Sequence, residues 1–212
     1  MTVSTTVHLV RHGEVFNPSG VLYGRLPGFT LSHLGEQMAK SVAQWFEGHD
    51  ITALVVSPLE RARQTIAPLE ELTGLSAKVD ERVIESENVF EGSTVEFGPK
   101  AIKNPKYWRH IYNPFLPSWG EHYEQVAARM LAAAADARDS ASGHEAVIVS
   151  HQLPIWIARR KAEGARLWHR PDRRQCALAS VTSMHYLGTE IMAVSYAEPC
   201  GPGVKKQGTV GA

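Results

Sequence analysis

The sequence predicts an α/β fold, a three-layer α/β/α sandwich around a mostly parallel central sheet, and three observations carry that prediction. Short apolar runs alternate with helix-periodic segments, no repeat or interior linker interrupts the alternation, and the composition is that of an ordinary globular protein. Of 212 residues, 43% are hydrophobic and 21% charged. A chain this long buries roughly 70% of the surface of its unfolded form, so one core suffices and neither disulfides nor a structural metal are needed to hold it.

The elements follow in order. Val7 to Val10 is a first buried strand. Leu34, Met38, Val42, Trp45 and Phe46 recur at helical spacing, with Ser32 placed to cap the helix and Gly48 just past its end. Ala53 to Val56 forms the next strand. Ser57-Pro58-Leu59-Glu60 then reads as a capping box, with Ser57 at the N-cap, Pro58 at the first helical position and Arg61 in the first turn. A weaker strand lies near Ala77 to Val83, and a third helix covers roughly Glu121 to Arg138. Ala146 to Val149 is a further strand, and a fourth helix starts near Pro154 and runs through Arg160. Val181 to Leu187 and Ile191 to Tyr196 form a final pair joined by the turn Gly188-Thr189-Glu190. Residues 1–198 form one domain. Within it, residues 93–119 mix aromatic residues with Pro99, Pro105, Pro114 and Pro117 and read as a lid or insertion, while 199–212 read as a flexible tail.

Charge and cysteine content exclude several classes. Twenty-two Lys and Arg balance 22 Asp and Glu, which argues against gripping nucleic acid or an anionic membrane with the whole surface. Arg159-Arg160-Lys161 with Arg166, Arg170, Arg173 and Arg174 accordingly reads as a solvated face. Cys176 and Cys200 match no zinc or redox spacing, and no apolar run is long enough to span a bilayer. Residues 1–6 lack the marks of an export signal, so the cytoplasm is the expected compartment.

Three segments place polar or cationic residues directly after the carboxyl end of a predicted strand: Arg11-His12-Gly13-Glu14, Ser57 to Arg61, and Ser150-His151. In open α/β sheets those ends line the ligand crevice, so residues some 140 positions apart become neighbours. The cluster gathers two arginines and two histidines. It lacks the carboxylates a hard metal ion takes and offers planar donors matched to phosphate oxygens, so a phosphate monoester is the natural guest.

Leu9-Val10-Arg11-His12-Gly13-Glu14 resembles the signature of the histidine phosphatase superfamily, to which phosphoglycerate mutases also belong. The likeness continues through Ser57 to Thr65, Glu85 to Gly92, Gly120-Glu121 with Val126 and Arg129, and Val149-Ser150-His151, and spans about residues 7–197. The resemblance implies a phosphoglycerate mutase-like fold and a phosphohistidine mechanism without cofactor or metal. His12 is then the nucleophile, and Arg11 and Arg61 hold the phosphoryl oxygens and keep His12 unprotonated. His151 completes the clamp as a further donor, charged once a phosphate dianion lies beside it.

The leaving alkoxide needs a proton, and Glu85 is the candidate acid. The acid loop Arg82 to Gly92 is one residue shorter than the family's, which leaves Glu87 and Glu91 as rivals. Asn17 stands one position before the family's phosphate-binding asparagine. Tyr23 and Arg25 fall where similar proteins place substrate contacts, and Glu121 either binds substrate or orients an arginine. Similar proteins usually carry glycine where this chain has Gln152. No set of the remaining histidines shows metal-ligand spacing.

Ser86-Glu87-Asn88-Val89 stands where mutases carry an arginine, histidine, tyrosine and glycine, so the resemblance implies a phosphatase of the histidine acid phosphatase type. Mutase-type phosphoryl transfer and a non-catalytic module that binds a phosphorylated ligand are the alternatives. The expected partner is a small phosphorylated metabolite, with no nucleic acid and no membrane, and the exposed aromatic residues permit a homodimer.

Overall fold

The computed structural model describes residues 2–88, 90–93 and 120–201. β1 (Ser4–Arg11) is followed by α1 (His33–Trp45), β2 (Ile51–Val56), α2 (Glu60–Thr73) and the short β3 (Lys78–Val79). Then come α3 (Tyr123–Ser140), β4 (Glu145–Ser150), α4 (Gln152–Ala162), β5 (Val181–Leu187) and β6 (Glu190–Ala197). The described strands form one sheet in the order β3-β2-β4-β1-β5-β6. β3, β2, β4 and β1 pair in parallel, and β5 runs antiparallel to both β1 and β6. The sheet is therefore mostly parallel, as the alternation of elements predicts.

Side-chain alternation along the central strands builds the two core layers. Val7 and Leu9 of β1 and Ala146 and Ile148 of β4 meet Val126 and Met130 of α3 and Ile155 and Ile157 of α4. Val10, Leu54, Val56, Val147 and Val149 face the other way, onto Met38, Val42 and Phe46 of α1 and Ile66 and Leu69 of α2. α3 buries Ala127, Ala133, Ala134 and Ala137, small side chains that let its axis approach the sheet. Among the described residues, no helix is long and apolar enough to cross a membrane.

Ser32 caps α1 as predicted, accepting from the Gly35 amide at 3.0 Å. The capping box at Ser57 does not form. α2 starts at Glu60 with Leu59 at its N-cap and no side-chain cap, because the Ser57 hydroxyl is turned to His151, 2.7 Å away. The predicted strand near Ala77 to Val83 shortens to β3. It gives way to a 3-10 turn at Glu81–Val83, whose start Asp80 caps by accepting from the Arg82 amide. α3 begins two residues after Glu121, and α4 begins at Gln152, two residues before Pro154. The predicted lid at 93–119 and tail at 199–212 lie, from residue 94 and from residue 202 onward, outside the described residues.

Candidate active site

The adjacent parallel strands β2, β4 and β1 end at Val56, Ser150 and Arg11, so the residues that follow them meet at one edge of the sheet. The backbone continues the ladder for one step. The His12 amide donates to Ser150 O at 3.1 Å and the Ser57 amide to Val149 O at 3.0 Å. His12, Ser57 and His151 are thereby fixed at full burial. Gly13 permits the turn away from β1, since a Cβ there would lie 2.6 Å from Gly35 O at the start of α1.

His12 Nδ1 lies 2.8 Å from Gly13 O and can only donate to it, so Nε2 keeps its lone pair. Arg61 Nε donates to that Nε2 at 3.3 Å. Burial first, then the guanidiniums of Arg61 and Arg11, hold the His12 imidazole well below its ordinary pKa. His151 lies beside it, ring centres 5.1 Å apart, and burial, then Arg61 and His12, hold it too well below its ordinary pKa. His151 Nδ1 is buried and has no hydrogen-bond partner.

Neither buried arginine meets a carboxylate among the described residues. Arg61 donates to Gly24 O at 2.6 Å and lies over the Tyr23 ring, 4.7 Å from its centre. Arg11 donates to Cys176 O at 2.7 Å, and its Nε has no partner. A buried guanidinium without a counter-ion is costly, and two together favour an anion between them.

Glu85 follows the 3-10 turn and is buried. Its Oε1 accepts from the Ser86 amide at 2.9 Å, while Oε2 has no partner. Burial pushes this carboxyl up, against the lowering pull of the Ser86 amide and of Arg61, Arg11 and Arg174. The rivals have other partners. Glu87 is 68% exposed and pairs with Arg25 Nη1, and Glu91 accepts from the Arg25 amide.

Arg25 engages the Glu85 backbone, and Glu121 pairs with Arg25 and Arg129 rather than with Arg11 or Arg61. Arg25 Nε donates to Glu85 O at 2.7 Å and Nη2 to Glu121 Oε2 at 3.3 Å. Glu121 takes Arg129 in a two-pronged pair at 2.7 and 2.9 Å, and Arg129 Nη1 donates to the carbonyls of Arg82 and Ile84. Asn17, the expected phosphate contact, engages both polar atoms of its carboxamide with the Val21 backbone of its own loop.

Sequence reasoning missed two participants. Ser57 was assigned to a helix cap, and only the fold brings His151 to it from 94 positions away. Arg174 was grouped with solvated arginines. It is half-buried, donates to His169 Nε2 at 2.8 Å and to Gln152 Oε1 at 3.4 Å, and lines a cleft of about 70 Å³ with Glu85, Gly24, Tyr123 and Leu153. Gln152 also donates to Cys176 O, the carbonyl that holds Arg11. A larger groove of about 690 Å³ runs between α1 and α2, remote from all of these groups.

Comparison with known proteins bears on the family and the fold. The uncharacterized protein Rv0525 of Mycobacterium tuberculosis is 51% identical over 199 residues, covering 94% of this chain and 98% of that one. A probable phosphoglycerate mutase GpmB of Photorhabdus laumondii is 27% identical over 187 residues, covering 84% and 85%. Among solved structures, the mycobacterial glucosyl-3-phosphoglycerate phosphatase Rv2419c superimposes with a TM-score of 0.72 at 24% identity, over 92% of this chain and 96% of that one. The family model for the histidine phosphatase superfamily (branch 1) matches residues 7–199, and with it the segments that carry His12, Arg61, Glu85 and His151, so the chain belongs to that superfamily.

Proposed function

We propose that this chain is a phosphatase that hydrolyses the phosphate monoesters of small metabolites through a phosphohistidine on His12, with no metal required for the chemistry. One observation carries the reading: two buried guanidiniums without carboxylate partners flank a buried, neutral imidazole whose Nε2 lone pair is free of a proton. Such a site is built to receive a dianion at the nucleophile.

In the forward step His12 Nε2 attacks phosphorus in line with the ester oxygen, the P–O bond breaks, and the alkoxide takes the Glu85 proton. Arg11 and Arg61 hold the phosphoryl oxygens. The dianion offsets the cationic field that keeps His151 neutral, and His151 becomes a charged donor. Water then attacks phosphorus, its proton passes to Glu85, and His12 leaves neutral. Ser86-Glu87-Asn88 after the acid supports hydrolysis over recapture of the phosphoryl group.

Arg174 supports a narrower substrate class. Its guanidinium meets no carboxylate among the described residues and borders the cleft that holds Glu85. A substrate carrying a second anionic group, such as a carboxylate, would complete it. The glucosyl-3-phosphoglycerate phosphatase Rv2419c, whose name specifies a phosphoglycerate derivative, agrees with that class. A cytoplasmic setting belongs to the same reading, in keeping with the free thiols of Cys176 and Cys200.

The test is phosphate release from p-nitrophenyl phosphate in the presence of a chelator, with acid-quenched protein assayed for phosphohistidine. Turnover and label in the natural sequence, with both lost in His12→Ala, are expected. Turnover that survives His12→Ala overturns the mechanism. Conversion of 3- to 2-phosphoglycerate without phosphate release would instead make the chain a mutase, and tight phosphate-ester binding without turnover a binding module.

A further inference from the structure

The other end of the sheet holds a second cluster that the proposed phosphatase chemistry does not use. His8 lies on β1, His49 in the turn after α1, and Glu145 opens β4. His8 Nε2 and His49 Nδ1 both contact Glu145 Oε2, at 2.8 and 2.7 Å, and the ligand atoms of all three side chains lie within 4.8 Å of one another. The geometry points to a binding site for a zinc-class divalent cation formed by His8, His49 and Glu145.

The donor set fits that chemistry. Two imidazoles and one carboxylate form the three-ligand set that zinc takes when a fourth position is left to water. Tetrahedral bonds of about 2.0–2.1 Å set ligand atoms about 3.3 Å apart, so the two contacts to Glu145 open by about half an ångström while the two imidazole nitrogens, now within 4.8 Å of each other, close toward the same spacing. His8 is 4% exposed, with its ring against Phe46, while His49 and Glu145 are 30% and 26% exposed. One side of the cluster therefore faces solvent, which supplies both an access path and the fourth ligand.

The surrounding polar groups fit as well. His8 Nδ1 lies 2.8 Å from Ser183 Oγ, the outer partner that a metal-bound histidine needs. Without metal, His8 carries its proton on Nε2 toward Glu145 and accepts from Ser183. On binding, the proton moves to Nδ1 and the serine hydroxyl accepts, so Nε2 is released to the cation without net loss of a proton. The backbone is already fixed: the His49 amide donates to Phe46 O, and the Glu145 amide to Asp50 O at 2.9 Å. The adjoining His144 pairs with Asp50, and His185, which also faces His8, is engaged with Thr6 and Ser195.

His8 precedes His12 by four strand residues, a separation of roughly 13 Å at the rise of an extended chain. The cation therefore stands apart from the phosphoryl site. It ties the end of α1 to β1 and β4, and its readout is stability.

The test uses the full chain stripped with chelator and titrated with Zn²⁺ against a chromophoric competitor, with Co²⁺ as a spectroscopic probe. Expected are one Zn²⁺ per chain, a tetrahedral cobalt spectrum and a thermal midpoint that rises with free Zn²⁺. His49→Ala, in a half-exposed turn, should weaken binding at least about 100-fold and remove the cobalt spectrum, since loss of a ligand's outer hydrogen-bond partner alone reaches about 10–100-fold. Glu145→Gln serves as a second variant, and His12→Ala should leave the stoichiometry unchanged. Absence of Zn²⁺ binding in the natural sequence overturns the proposal. So does equal binding in His49→Ala and Glu145→Gln, or loss of the cation in His12→Ala.

Discussion

Arg61 Nε lies 3.3 Å from His12 Nε2, so the guanidinium donates to the lone pair that the proposed mechanism directs at phosphorus. The contact orients the ring, and its positive charge opposes protonation of that nitrogen. The same group can pass its hydrogen bond to a phosphoryl oxygen when substrate arrives. In the proposed mechanism one residue thus keeps His12 in its reactive form and then stabilises the charge on the transferring group.

Replacing Arg61 by methionine should lower kcat/KM by about 10²–10³, the cost of a lost transition-state donor. It should also move the acid limb of the pH profile upward, because a cation that lowers the His12 pKa is gone. An acid limb that stays in place would show that burial alone sets the imidazole.

Glu85→Gln should separate substrates by their leaving group. Alkyl phosphates, whose alkoxide needs the proton, should lose about 10²–10⁴ in kcat. p-Nitrophenyl phosphate, whose phenolate leaves unaided, should lose far less in the burst of phosphohistidine formation. Equal losses on both would remove the general-acid role.

Arg174→Ala should raise KM for phosphorylated carboxylic acids about tenfold or more, from loss of a charge-assisted contact, and leave p-nitrophenyl phosphate kinetics nearly unchanged. Steady-state kinetics on paired substrates with and without the carboxylate decides it.

His12 and His151 bind protons less readily in the folded than in the unfolded chain. Their stabilising contribution is full above the ordinary value near 6.5 and is lost as pH falls below it toward the depressed folded values, with a slope of up to about 1.4 kcal/mol per pH unit for each. Glu85, whose pKa is raised, works in the opposite sense: its contribution is present below the usual carboxylate range and is lost as pH rises through the folded value. Urea unfolding from pH 7 to 5 should show stability falling toward acid, and His151→Gln should flatten that slope.

Gly13→Ala should destabilise the fold by about 1–3 kcal/mol, because a backbone carbonyl 2.6 Å from the new Cβ cannot swing aside. Thermal denaturation should show a midpoint lower by about 2–12 °C, at about 2–4 °C per kcal/mol for a chain of this size.

The parts of this molecule written in local pattern were legible in the sequence. Apolar runs marked β1, β2 and β4, and Ser32 marked the start of α1, because each signal depends on neighbours within a few residues. Arg11, His12, Arg61 and His151 could be placed together because strand ends in such sheets share one edge. Failures came where a distant partner outbid a local one. Ser57 had a helix to cap and bonds His151 instead. Arg174 carries no pattern that distinguishes it from surface residues until the chain folds it beside Glu85. His8 and His49 lie 137 and 96 positions from Glu145, beyond any spacing rule.

β1 lies between β4 and β5, strands that come more than 130 residues later in the chain. During synthesis the segment bearing His12 must wait for both neighbours to emerge, with its apolar side chains uncovered and its backbone edges unpaired, open to chaperones. Closure of this strand into its slot completes the sheet and brings His12 beside His151 in one event. Under the proposed function, activity would then report on completed folding, and a nascent chain halted before β4 would carry His12 without the rest of its cluster.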